Sequence, residues 1–278
     1  MDLVQLHKQF PQKRKLKSAP PLGLFLTLVM AVVIWQLATD WWQPPSFILP
    51  SPVLVWQRFI EVWGTGILQR NTLITLSEVL SGLLIGVSVA TVLGYFLAKS
   101  KWIERILAPY IVASQSVPIV AIAPLLVIWF GPGMFSKILI CSLIVFFPVL
   151  INTIVGLRSV SEDLKDLMRS LKANRWQMIC DLEIPAALPV FLGGLRIGAT
   201  LSVIGAVVGE FVGSDSGLGF LINSARGRYD TALVFVAVFT LILLAMSLYG
   251  LVLYAESRLL SWSQRPEDEI NLQRGIQL

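Results

Sequence analysis

The chain has 278 residues, 55% of them apolar and only 14% charged, with a strongly positive mean hydropathy. A soluble domain carries about a quarter charged residues, so this composition excludes one and points to a polytopic membrane protein. The net charge of +5 does not call for nucleic acid, because membrane proteins gather Lys and Arg on their cytoplasmic side.

In chain order, residues 1–21 hold Lys8, Lys13, Arg14, Lys15 and Lys17 with one acid, Asp2, and read as a cytoplasmic basic arm. His7, the only histidine, falls in this arm and is not a catalytic candidate. An apolar run over 22–38 is a first span; it ends in Thr39-Asp40-Trp41-Trp42 without a small-residue cleavage site, so it is expected to be uncleaved. Pro44, Pro45, Pro50 and Pro52 then precede an amphipathic stretch, 53–67, whose Trp56 and Trp63 suit a helix lying at the membrane interface.

The second span, 72–97, carries Gly82, Gly86, Ala90 and Gly94 at four-residue spacing, a ridge for close helix contact. Glu78 inside it reads as a snorkelling or hydrogen-bonded group rather than a substrate contact. The third span, 106–130, contains Pro109, Pro118 and Pro124. Prolines free backbone carbonyls, which are tolerated at membrane depth only against protein or water, so Pro118 and Pro124 are candidates for lining a solute path.

Gly131-Pro132-Gly133 turns into the fourth span, 136–157. The fifth, 186–209, again carries glycines for close packing, together with Arg196, a charge expected to face the bundle interior or a wet cavity. Glu210 closes it and joins Arg196 as a path candidate. A polar, Gly-rich connection, 211–230, leads to the sixth span, 231–254, and a cytoplasmic tail, 257–278. Its glycines are no phosphate cradle, since no Lys-Ser or Lys-Thr follows at the required spacing. Cys141 and Cys180 lie in different surroundings and suggest neither a disulfide nor a metal site.

With six spans and an inside N-terminus, sixteen of the 22 Lys and Arg fall on the cytoplasmic side, five outside (Arg58, Arg70, Lys137, Arg226, Arg228) and Arg196 within a span. Dropping a span would reverse the loops after it, so this asymmetry supports the all-α, six-span reading. It also places the loop 158–185 in the cytoplasm. There Leu164, Leu167, Met168 and Leu171 recur at helical spacing among Lys165, Arg169, Lys172 and Arg175. A short helix with an apolar face and no core of its own lies on the bilayer or docks into a partner.

This loop resembles the cytoplasmic loop of ABC importer permeases, whose pattern is Glu-Ala-Ala, three residues, Gly, nine residues, Ile-x-Leu-Pro. Here the positions read Asp166-Leu167-Met168, Lys172 and Leu182-Glu183-Ile184-Pro185: the spacing is kept and the identities differ. Ile48 to Pro52, Val117 to Leu125, Ile128 to Gly131, Gly209 to Phe211 and Ser216 to Leu221 are also similar to the sulfonate, nitrate, taurine and vitamin-precursor branch of that family.

The resemblance implies a coupling helix between spans 4 and 5, with Asp166, Leu167, Met168, Leu171, Lys172 and Pro185 at the ATPase contact. At Lys172 the family's Gly allows a left-handed turn, which would cost Lys roughly 1 to 2 kcal/mol unless Asn174 shifts the bend. The implied partners are two copies of a separate ATPase subunit, an extracytoplasmic solute-binding protein, and a second permease copy forming a homodimer in the cell inner membrane. No catalytic residue, cofactor or metal is implied. The solute would be a vitamin or its precursor, such as riboflavin or the thiamine pyrimidine, or a sulfonate, nitrate or taurine.

Two other classes compete. An ion-gradient-driven secondary transporter needs carboxylates within the membrane and usually an inverted repeat; only Glu78 sits clearly inside a span. An intramembrane enzyme needs a His, Asp or Ser-Lys constellation, and the spans contain no His and no Asp.

Overall fold

The computed structural model describes residues 21–260, and all their regular structure is helical. The expected basic arm and most of the expected tail lie outside them. In chain order the helices are α1 (Pro21–Trp42), α2 (Pro52–Gly64), α3 (Ile67–Lys99), α4 (Lys101–Ser116), α5 (Ile119–Phe130), α6 (Met134–Arg158), α7 (Glu162–Ser170), α8 (Arg175–Gln177), α9 (Ile184–Gly213), α10 (Leu218–Gly227) and α11 (Thr231–Leu259). Met178–Glu183 form a π-helix between α8 and α9. Helices α1, α3, α6, α9 and α11 are long and apolar enough to cross a membrane, and the bent pair α4–α5 makes a sixth crossing if taken as one broken span.

That bend corrects the expected single span 106–130. The two helices meet at 94°, and the break falls at one of the three prolines. Pro118 forces Val117 into an extended conformation (φ −87°, ψ 120°), whereas Pro109 and Pro124 remain inside α4 and α5. Elsewhere the helices outrun their apolar windows. α3 starts at Ile67 and α9 runs on to Gly213, because the backbone ladder continues through polar residues that hydropathy discounts. The connection 211–230 is also shorter than expected, since α9 runs into it as far as Gly213 and α10 occupies half of it.

α2 falls in the stretch read as amphipathic. Ser51 caps its first turn by accepting from the Leu54 N–H, and Pro52 supplies the fixed φ of the first position. Trp56, Phe59 and Trp63 follow one another in a row, Trp56 stacked on Phe59 and Trp63 tilted against it, with centroids 5.4 and 5.7 Å apart. Arg58 reaches across to Asp230 at 2.6 and 3.0 Å, and Asp230 also caps α11 through the Leu233 N–H.

The core is built on α6, which packs along α3 on one flank and α9 on the other. Glycines make both contacts close. A Cβ on Gly86 of α3 would stand 2.7 Å from the Ser142 carbonyl oxygen, and one on Gly205 of α9 2.9 Å from the Cys141 Cα. The ridges legible at four-residue spacing are therefore where backbones touch. Cys141 is buried in this seam and Cys180 is exposed; both are free.

Candidate functional site

Two groups of polar residues stand out at opposite ends of the bundle. The first is the loop between α6 and α9. Glu162 and Asp163 occupy the first turn of α7 and Arg169 the last, matching its dipole. Lys165 bonds Glu162 at 2.8 Å and holds that carboxyl below the usual carboxylate range. Arg169 bonds Asp166 at 2.7 Å. These pairs take one side of α7. On its apolar side Leu164, Leu167 and Leu171 are exposed, and Met168 is half-buried.

Lys172 ends the helix in the left-handed region, φ 56°, while the Ala173 N–H bonds the Met168 carbonyl at 3.0 Å. Asn174 does not take over the bend; it forms a capping box with Gln177 at the start of α8. Lys172 therefore carries the strain that a glycine would relieve. Lys172→Gly is expected to stabilise the protein by about 1 kcal/mol, read as a higher melting midpoint in detergent; an unchanged or lower midpoint would contradict the αL assignment.

Pro185 is half-buried in the first turn of α9. It has no N–H and its ring crowds the carbonyl four residues back, and the turn before it is a wide π-turn in which the Ile184 N–H reaches the Ile179 carbonyl. The π-turn buries Glu183, whose carboxylate bonds Lys99 at the end of α3.

The second group lies at the other end, where α3, α6 and α9 meet the start of α10. Glu78, Lys137 and Glu210 are all buried there. Lys137 Nζ stands 2.6 Å from Glu78 Oε1 and donates to Ser214 Oγ at 2.9 Å. Glu78 Oε2 has no donor among the described residues. Glu210 accepts from Thr75 Oγ1 at 2.6 Å and from the Gly219 N–H. Three successive N–H groups at the start of α10 are thus each taken by a side chain: Gly217 by Asn71 Oδ1 (2.7 Å), Leu218 by Thr75 Oγ1 (2.8 Å) and Gly219 by Glu210. Gly217 permits this, with φ 105° and no room for a Cβ against the Glu210 carboxyl. The cluster pins α10 onto the bundle and buries two carboxylates with one ammonium.

Lys137 is accordingly a correction: it is not one of the solvated outer charges but half of a buried ion pair. A Lys just inside the fourth apolar window and a Glu inside the second were the available signal, since charges of opposite sign within spans pair with each other. Asn71, Thr75 and Ser214 carried no signal of their own.

The four path candidates occupy separate surroundings. Pro118 and Pro124 are exposed on the α4–α5 elbow. Arg196 bonds Glu256 of α11, with its guanidinium 5.6 Å from the Tyr249 ring. Glu210 belongs to the cluster that anchors α10.

Residues 82–261 match the family model described as the binding-protein-dependent transport system inner membrane component. The chain belongs to that family. It is the permease component of an ABC importer.

Among curated permeases it is 48% identical over 243 residues to the riboflavin transport system permease protein RibX of Chloroflexus aurantiacus, covering 87% of this chain and 91% of that one. It is 33% identical over 253 residues to the formylaminopyrimidine transport permease protein ThiX of Halalkalibacterium halodurans, covering 91% and 99%. The taurine transport system permease protein TauC of Escherichia coli is 31% identical over 260 residues, covering 90% and 94%. An inward-facing structure of the MetNI methionine ABC transporter superposes with a TM-score of 0.60 over 72% of this permease and 98% of that chain, at 18% identity, a likeness of fold.

Proposed function

We propose that this permease carries riboflavin, or a flat heterocycle of similar size, into the cell. Identity of 48% along nearly the whole length of a riboflavin permease supports that solute over taurine or a sulfonate. An extracytoplasmic binding protein would deliver the solute, two permease copies would enclose the path, and both termini would face the cytoplasm.

The observation that carries the coupling mechanism is the uncovered apolar side of α7, Leu164, Leu167 and Leu171. Exposed leucines on a nine-residue helix bearing two intrahelical ion pairs suit a cleft on another protein. ATP-driven closure of two ATPase subunits would move α7, and that movement would favour the outward-open state. Such a shift requires α7 to bind the ATPases differently in the two states.

The test is uptake into proteoliposomes holding the permease, its ATPase and its binding protein. Riboflavin should enter in an ATP-dependent, vanadate-sensitive manner and taurine should not. Uptake without nucleotide would reject the coupling, and ATP-dependent uptake of taurine alone would reject the solute.

A further inference from the structure

The end of the bundle that carries α7 holds a cavity of about 660 Å³, walled by the ends of α3 and α6 and the starts of α4 and α7. Five cationic side chains line it against three carboxylates. Three of the cations are paired, Arg158 with Glu104, Lys165 with Glu162 and Lys99 with Glu183. Lys101 and Arg105 have no ion pair among the described residues. They sit four residues apart, on one face of the first turns of α4, where the positive end of the helix dipole adds to their field. Glu183 forms part of the same wall. It is 2% exposed; Lys99 takes its Oε1, and Oε2 has no donor among the described residues. The cavity thus presents a surplus of two positive charges beside one buried acceptor.

A second cavity, of about 510 Å³ and almost wholly apolar, lies along α3, α6 and α9 between Tyr95, Phe96, Leu188 and Phe191. Leu157 lines both cavities. Lys99 lines the first, where it bonds Glu183, and its ammonium lies 5.7 Å from the ring of Tyr95, which lines the second. A cationic mouth thus adjoins a greasy slot at one end of a membrane bundle, matching the two-part chemistry of a phospholipid.

We infer that the two cavities together seat one anionic phospholipid with a hydroxylated headgroup, of the phosphatidylglycerol type. The phosphate meets Lys101 and Arg105, a headgroup hydroxyl donates to Glu183 Oε2, and an acyl chain fills the slot beside Tyr95 and Leu188. Charge-assisted contacts of this kind favour Lys and Arg on phosphate. An ethanolamine headgroup fits less well, because its ammonium would compete with that of Lys99 at Glu183. The inference uses the membrane character of the chain and is independent of the solute.

The test is lipid retention by the full-length protein, purified from membranes in mild detergent and assayed by mass spectrometry after extended washing. About one phosphatidylglycerol per chain should remain after phosphatidylethanolamine is lost. Lys101→Ala with Arg105→Ala should weaken that retention about thirtyfold with an unchanged gel-filtration profile. Leu188→Trp, which blocks the slot and keeps the cations, should weaken it too. Four results would overturn the inference: equal retention by the charge variant; loss of both lipids at the same rate; displacement of the lipid by millimolar inorganic phosphate, which would make this a phosphate site; or its expulsion when the ATPase subunit binds, which would make the cavity part of a protein interface.

Discussion

Lys137→Met is expected to cost about 3–5 kcal/mol of stability and to leave little folded protein in detergent-solubilised membranes. The reason is local. Glu78 is 0% exposed and its only cationic partner among the described residues is Lys137, with Glu210 buried beside it. Removing the ammonium leaves two carboxylates where water cannot reach them, and a buried charge without its partner is worse than no charge at all. The double variant Lys137→Met with Glu78→Gln removes both halves and is expected to recover most of the loss. Fluorescence-detected gel filtration with a heating step reads both proteins. If the single variant melts with the wild type, the pair is not the buried ion pair described above. If the double is no better than the single, the damage comes from the lost packing of the Lys137 stem and its bond to Ser214.

The second large effect concerns α7. Leu167→Asp with Met168→Asp changes an exposed and a half-buried side chain, so the permease itself should fold and insert as before. Binding of the ATPase is where the loss should appear. Apolar anchors at the centre of an interface contribute about 2 kcal/mol or more each, so two carboxylates placed there should weaken docking at least about a thousandfold and abolish ATP-dependent uptake. Co-purification of the ATPase with the variant permease measures the first, and vesicle uptake the second. Undiminished co-purification would show that some other surface is the contact. Retained docking with lost uptake would place α7 in transmission rather than attachment.

These two predictions also mark the limits of what the sequence discloses. The stripe on α7 was legible because its period is local: Leu164, Leu167, Met168 and Leu171 declare a helix face within eight residues, and the structure exposes that face. The glycine ridges were legible for the same reason. What the sequence hid depends on partners far apart in the chain. Lys137 follows a Gly-Pro-Gly turn and reads as a loop charge until Glu78, 59 residues earlier, is seen against it. α10 contains two glycines, Gly219 and Gly227, and a polar face, so its own propensity is weak. It holds its place because Asn71, Thr75 and Glu210 take its first N–H groups. The elbow at Pro118 was half legible: three prolines announced a disturbed span, but nothing local said that one of them would turn the chain through a right angle while the other two stayed helical. The π-turn ahead of Pro185 left no trace in composition.

The seam around α6 has a mechanical consequence. Its two flanks meet α3 and α9 closely at several points, with a glycine on the flanking helix set against backbone of α6 at Ser142 and Cys141, so little side-chain volume is left there to shear or repack. Such a trio swings as a single plank. A push on α7 would then travel along the bundle without being absorbed on the way, and would reach α10 because that helix is riveted to the same plank. The give in the machine has to come from somewhere else, and the exposed corner at Val117–Pro118, where the helix is broken, offers one place for it.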